Sequence, residues 1–583
     1  MAGTRIFLIA LFTGLLLQAQ PVKPKLGDNS AGSRGQPAHI IALRDPEGDT
    51  IQPGDRRPLP FSVTQTCGGD CHDVAAISHG WHFNAGAAGV AAGRKGQPWL
   101  LVDRETGTQL PLSYRAWPGT YRPQDAGVSR REFAVRFGGR TAGGFSPEDG
   151  ASTADRERWR VSGDLEVNCL VCHDASAAYD HAEYANQVAR ENFRYAPAAA
   201  SGLAQVSGNS KEMPGLFDYL LPNSVEDSLQ PKLPHVEYST GQFLPSGKVA
   251  FDIVREVKSS RCYYCHTNSA VDETGQARWK ANEDIHLARG ITCVQCHRNG
   301  LDHMMTRGAE GAGEASLTCK GCHMESGAMG APHPDHEGIP PIHFEKMTCT
   351  ACHSGPLPSE QTRQFKNGMA HGLGEFNVDK SPNAVPHLYY PVFARGEDGK
   401  IGPNRMVWPA FWGRMNGDKV QPLHPDIVKR AKASPGTLEV SLRALGSDAV
   451  YISGGKLHRL DSTGKVTAQD HPQAEPYLWP LAHDVRPASQ ALGAKGCQDC
   501  HSETAAIFFS KVTVDGGGEA WPMHRFEKNL DVAYQTRLAQ SWRYRPWLKA
   551  IALGAAGLLL LVLLTYTLRG IERLSAAAAG RLR

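Results

Sequence analysis

The sequence predicts a chain built mostly from short helices and irregular loops, with a small β-meander inserted and one C-terminal transmembrane helix. Three observations lead there. The 14 cysteines fall into seven pairs, each followed at once by a histidine; the apolar content is only 41%; and one uncharged run of 19 residues lies near the C-terminus. Gly and Pro together make up about 17% of the 583 residues, above the average of about 12% but below the roughly 25–30% of disordered chains. Such a chain folds, either as several domains or as one large irregular one.

The pairs are Cys67/Cys71-His72, Cys169/Cys172-His173, Cys262/Cys265-His266, Cys293/Cys296-His297, Cys319/Cys322-His323, Cys349/Cys352-His353 and Cys497/Cys500-His501, with no cysteine left over. C-x-x-C-H is the attachment signature of c-type haem: two thiols add to the two vinyl groups of one porphyrin, and the adjacent imidazole becomes the proximal ligand of its iron. Zinc knuckles or small disulfide loops give no reason for a histidine after every second cysteine. The expected cofactors are therefore seven covalently bound haem c groups, and the fold class is a chain wrapped around seven haems that serve as much of its core. In the first motif Gly68-Gly69-Asp70 places three residues between the cysteines where the others have two. Two glycines make the wider loop feasible, and it holds either an ordinary haem or one with altered tilt and a special role.

Arg5 followed by the apolar run Ile6 to Leu17, with Leu17-Gln18-Ala19 as a cleavage site, reads as a signal peptide over residues 1–19 and predicts export. The run 550–568, bounded by Lys549 and Arg569, has the length of one membrane-spanning helix, and Trp542, Tyr544 and Trp547 stand where an interfacial aromatic belt belongs. The expected location is the periplasmic side of the bacterial inner membrane, with residues 569–583 as a cytoplasmic tail. The formal net charge of +3 becomes about −4 with seven oxidised bis-His haems and about −11 when they are reduced. Nothing in that balance supports a nucleic-acid partner.

Four motifs lie between Cys262 and His353, separated by 26, 21 and 25 residues, which keeps consecutive haems close. The expected organisation is a linker at 20–60, a multihaem domain at 61–360 carrying the first six haems, a haem-poor region at 361–482, the seventh haem segment at 483–530, a juxtamembrane stretch at 531–549 and the span itself. Between the first two motifs the alternation in Phe133-Ala134-Val135-Arg136-Phe137 predicts a short strand. In the haem-poor region Leu438 to Leu442, Ala449 to Ser453 and Lys456 to Leu460 alternate, with turns at Gly454-Gly455 and Ser462-Thr463-Gly464, and predict the meander.

Seven irons need seven distal ligands, and 17 histidines lie outside the motifs. The candidates at short offsets from motifs are His82 (with His79 in reserve), His286, His303, His336, His343, His371 and His483. His39, His181, His235, His333, His387, His424, His458 and His471 read as structural, and His524 is left open. No methionine is a convincing ligand, so bis-His ligation, low potentials and reversible electron carriage are expected.

The stretch Asp284-Ile285-His286 to His303, the segment His336-Glu337-Gly338-Ile339-Pro340-Pro341-Ile342-His343 leading to Cys349-Thr350-Ala351-Cys352-His353-Ser354-Gly355, and His483-Asp484-Val485-Arg486-Pro487-Ala488 leading to Cys497-Gln498-Asp499-Cys500-His501 resemble the periplasmic multihaem c-type cytochromes, including relatives of the octahaem tetrathionate reductases. Here there are seven motifs, the first is widened, and a C-terminal span is present. The expected function is a membrane-anchored heptahaem electron carrier of a respiratory chain. The alternative is a terminal reductase of a small nitrogen or sulfur oxyanion such as nitrite, hydroxylamine or tetrathionate. A span without a histidine pair carries no haem of its own, so the expected partners are a membrane quinol-oxidising or cytochrome b-type subunit, periplasmic or outer-membrane electron carriers, and the cytochrome c maturation machinery.

Overall fold

The computed structural model describes residues 39–581, apart from 85, 88, 216, 219, 222–224, 272–276, 280–283, 307–316, 369–386, 434–436, 516–519 and 526–531; of 277–279, 515, 520–525 and 532 it describes the backbone alone. The expected signal peptide and His371 lie outside the described residues, as does the side chain of His524.

Gly, Pro and polar residues break the sequence at short intervals, and the helices are correspondingly brief. Among the described residues the longest before the C-terminus is Thr153–Ser162, ten residues. The exception is Val532–Arg581, 50 residues, or about 75 Å at 1.5 Å per residue. It contains the apolar run, whose leucines are exposed, and is the one helix among the described residues long and apolar enough to cross a membrane.

Two antiparallel sheets carry most of the remaining order. A six-stranded sheet runs in the order Tyr477–Pro480, Ile401–Val407, Leu388–Arg395, Arg363–Asn367, Asn268–Val271, Ala277–Trp279. A five-stranded sheet runs Lys419–Pro422, Phe411–Asn416, Ala449–Ser453, Lys456–Leu460, Val466–Gln469. The expected meander forms the far side of this second sheet. Gly454 and Gly455 both adopt positive φ, 58° and 75°, as a two-residue turn between right-twisted strands requires.

Two expected strands are helices. Phe133–Phe137 belongs to the helix Arg130–Phe137, whose N-terminus is capped by the Ser129 hydroxyl accepting from the Glu132 N–H at 3.2 Å; Phe133, Ala134 and Phe137 share its buried face. Leu438–Leu442 belongs to the helix Leu438–Leu445, where Leu438, Leu442 and Leu445 recur at i, i+4 and i+7. In both cases a five-residue window was too short to separate period 2 from period 3.6.

The six-stranded sheet backs a large internal space with Ile401 to Arg405 and Leu478 to Pro480, and none of the described residues from 406 to 477 reaches it. The five-stranded sheet stands outside, packed on the hairpin formed by Trp99–Asp103 and Thr108–Leu112 through Leu101, Leu110, Phe411 and Ile452.

Candidate functional site

A C-x-x-C-H run wound as one helical turn places its thiols at i and i+3 and its imidazole at i+4, on one face. Short turns hold the motifs this way at Leu170–His173, Cys293–Cys296, Gly321–Ser326, Cys349–His353 and Cys497–Asp499, and Ser259–Cys262 leads into the third. The N–H of His173, His266, His297 and His501 donates to the carbonyl of the first cysteine of its motif at 3.0, 2.9, 2.8 and 2.9 Å. The widened motif differs: the helix Val63–Cys67 stops at Gly68, Gly69 turns with φ 58°, and the Cys71 N–H donates to the Gly68 carbonyl at 3.0 Å. A Cβ on Gly68 would stand 2.3 Å from the Thr64 carbonyl oxygen, so this close turn needs glycine.

Opposite every motif histidine stands a second histidine. Ring centroids are separated by 6.4 Å for His72 and His39, 6.1 Å for His173 and His303, and 6.2 Å for His266 and His82. The others are 6.0 Å for His297 and His483, 6.1 Å for His323 and His286, 6.4 Å for His353 and His336, and 5.9 Å for His501 and His343. A metal held between two imidazole nitrogens at about 2.0 Å each, with each nitrogen about 1.1 Å from its ring centre, separates the centroids by about 6.2 Å. Six pairs are crossed at 56–75°, whereas His39 and His72 are parallel to within 3°.

Hydrogen bonding fixes which ring nitrogen faces the gap. Nδ1 lies against a backbone carbonyl in His173 (Val254, 2.7 Å), His297 (Thr306, 2.9 Å), His303 (Leu301, 2.9 Å), His323 (Pro332, 2.8 Å), His343 (Pro340, 3.1 Å) and His353 (Arg486, 3.2 Å). Carbonyls only accept, so Nδ1 carries the proton and Nε2 keeps its lone pair for a metal. His286 donates Nδ1–H to the Asp284 carboxylate at 2.8 Å, and that carboxylate also accepts from the Val485 N–H at 2.9 Å. Burial pushes the pKa of His82 and of His483 down to about 4, keeping both neutral as ligation requires.

One continuous cavity of 4910 Å³ is lined by all 14 cysteines, the seven motif histidines and their seven partners. That is about 700 Å³ per pair, within the roughly 300–1,000 Å³ of a single cofactor site. Arg405 and Arg486 line it, and the Nε of each is buried without a hydrogen-bond partner among the described residues. The Asp484 carboxylate lies near both guanidinium groups, and each unpaired Nε–H leaves a donor free for a further anionic ligand such as a carboxylate.

Among the described residues no group of three or more His, Cys, Asp or Glu could hold a metal ion. The pairs therefore do not suit zinc, which takes four ligands, all from the protein in structural sites. Two axial nitrogens, two thiols at one edge and guanidinium groups for carboxylates fit a metal macrocycle that brings its own four equatorial donors, and haem c has these features.

Of the sequence candidates, His82, His286, His303, His336, His343 and His483 each face a motif histidine. His39, set aside as structural, faces His72. It lies 28 residues before Cys67, at the start of the strand Ile40–Ile41, which pairs with Val249–Ala250 and brings it to the cavity. No short-offset rule finds such a residue; only the count of one partner per motif points to it. His181, His424, His458 and His471 face protein acceptors with Nε2 instead: the carbonyls of Gly139, Ser453 and Asp418, and the Glu132 carboxylate. His79 is exposed and bonds the Ala75 carbonyl through Nδ1. No protein-family model, curated protein or solved structure matches this chain.

Proposed function

We propose that this chain is a membrane-anchored periplasmic heptahaem c-type cytochrome that carries electrons in a respiratory chain. The observation that carries the reading is the pairing of all seven motif histidines with a second histidine at 5.9–6.4 Å inside one cavity. When bound, each haem supplies a reversible one-electron ferric–ferrous couple. The cysteines of each motif would tether it, and the two facing imidazoles would hold its iron between them. Backbone carbonyls hold the tautomer, and Arg405 and Arg486 neutralise carboxylates.

An iron held between two imidazoles would have no open position for a substrate, which favours a relay over an oxyanion reductase. The helix Val532–Arg581 supports anchoring, with the 19-residue run spanning about 28 Å, close to the roughly 30 Å of a hydrocarbon core. A quinol-oxidising or cytochrome b-type membrane subunit and exported electron carriers are the proposed partners.

The test is expression of the full chain with haem attachment, followed by a haemochrome assay, intact mass and membrane fractionation. Seven haems per chain on the membrane are expected, together with release of a haem-loaded soluble protein when the chain is ended before Lys549. Fewer than seven haems, or retention on membranes after that truncation, would sink the reading.

A further inference from the structure

We infer that the seven histidine pairs form a single file in chain order, with the port to the membrane at the His343–His501 pair and the outer port at the His39–His72 pair. The inference rests on the heptahaem reading and adds its wiring.

The order follows from which motifs touch. Cys67 meets Cys169 thiol to thiol, Cys262 meets Cys293, and Cys319 meets Cys349, joining the first motif to the second, the third to the fourth and the fifth to the sixth. The links between those couples use the second cysteines: Cys172 lies near Cys265, Cys296 near Cys322, and Cys352 near Cys500.

Hydrogen bonds support three of these joints. The Trp81 N–H, next to His82 of the third pair, donates to the carbonyl of His303 of the second at 3.1 Å. The Cys293 N–H donates to the Ser259 hydroxyl at 3.1 Å, and the Leu492 N–H, on the approach to Cys497, donates to the Cys352 carbonyl at 2.9 Å. Short covalent links reinforce the later part of the file, because His286, His336 and His343 each lie within 13 residues of a motif belonging to the neighbouring site.

The two ends differ. At the seventh site the His501 ring stacks on Trp542 of the long helix, centroids 5.0 Å apart and planes within 16°, with Arg545 lying 4.0 Å above the indole. Tyr534, Leu538, Ser541, Trp542, Arg545 and Lys549 of that helix form one wall of the cavity, a stripe that ends at the first residue before the apolar run. Trp542 is eight residues from Ala550, about 12 Å along the helix, or about twice the headgroup layer of about 5–7 Å, which sets it just outside the membrane surface. No other pair touches this helix among the described contacts. At the opposite end the widened turn presents Gly69, Asp70 and Cys71 to solvent, and the imidazoles are parallel. Parallel imidazoles raise the same iron d orbital and split its partner away, giving a rhombic low-spin resonance. Crossed rings leave the two orbitals nearly equal and give strongly anisotropic signals. The first site therefore carries its own spectroscopic label.

The transfer is one electron at a time: a membrane-held one-electron donor loses an electron and a soluble one-electron acceptor gains it, with no bond or proton exchanged. The test removes the middle of the file. Full-length haem-loaded protein carrying Cys293→Ala and Cys296→Ala is placed in phosphatidylcholine vesicles and checked for six haems. An alkyl-viologen radical cation confined to the bilayer, which gives one electron and becomes the dication, is the reductant. It should reduce three haems rapidly and leave three oxidised, including the one with the rhombic signal, whereas dithionite in solution reduces all six. Equal reduction of all six by the bilayer-held reductant would overturn the inference. If the double variant loses haem, Trp542→Leu serves instead: the ratio of bilayer-driven to dithionite-driven reduction rates should fall about tenfold, and an unchanged ratio would overturn the membrane port. A wild-type count below seven haems is the separate result that removes the underlying reading.

Discussion

In the five-stranded sheet Phe411, Ile452 and Leu457 are fully buried against Leu101 and Leu110, and Trp412 against Val428, Leu442 and Tyr451, whereas among the described residues from Cys262 to His353 the one buried apolar side chain is Ala351. In that second region Met324, Met329, Ile339, Ile342 and Phe344 are 41–53% exposed, and all five line the cavity. A large apolar side chain gains about 1.5–3 kcal/mol on full burial, so one region holds a core of its own and the other holds half of one. The comparison teaches that, on the proposed heptahaem reading, the stretch Cys262 to His353 is specified for a folded state that cofactors would complete, and the sheet is not.

The largest expected effect separates the two directly. In cells lacking haem attachment, limited proteolysis should cut throughout 262–353 and leave the segment 411–469 protected; equal protection of both would break the comparison. Next in size is Trp412→Ala. Trp412 is fully buried and its Nε1–H donates to the Thr106 carbonyl at 2.8 Å, so the change should lose about 3–5 kcal/mol in the sheet while the holoprotein keeps its haem count. Loss of haem along with the sheet would show that the regions fold as one unit.

Acid sharpens the comparison at a third place, where His181 packs against Tyr264 inside the third motif. His181 is buried, stacks on Tyr264 at 4.8 Å and 6°, and donates Nε2–H to the Gly139 carbonyl; burial, reinforced by Arg140, pulls its pKa from 6.5 down to about 4. The unfolded chain takes up a proton below pH 6.5 and the folded one does not until near 4. Stability is therefore full above 6.5 and falls by up to about 3 kcal/mol as the pH drops to 4. His181→Phe, which keeps the stack, should flatten that slope in urea titrations of the holoprotein; an unaltered slope would assign it elsewhere.

The smallest effect concerns the widened motif. Gly69→Ala places a Cβ at φ 58° and should lose about 1 kcal/mol without displacing haem, as thermal melts and haemochrome assays would read.

The cavity was legible in the sequence to the extent that chemistry repeats locally. C-x-x-C-H is complete within five residues, and six partner histidines sit at short offsets from motifs, so both could be read without a fold. His39 could not, because its approach to His72 depends on pairing between strands that place Ile40 opposite Ala250, 210 residues away. The hairpin turn at Gly454-Gly455 was legible because two adjacent glycines have few other uses. The six-stranded sheet was not: it draws strands from residue 268 to residue 480, and the register between such distant segments is set by tertiary packing. The helices Arg130–Phe137 and Leu438–Leu445 were misread for the opposite reason, since a five-residue alternation is weaker than the apolar spacing of the longer segment around it.

Spin-quantified electron paramagnetic resonance of the oxidised, full-length holoprotein tests the central claim most directly, because it counts irons by axial ligation. Seven bis-His sites predict low-spin ferric resonance alone: one rhombic signal from the parallel His39–His72 pair and six strongly anisotropic ones from the crossed pairs, unchanged by nitrite, hydroxylamine or tetrathionate. A stoichiometric high-spin signal that shifts when one of those compounds is added would contradict the account and point to an open, catalytic site.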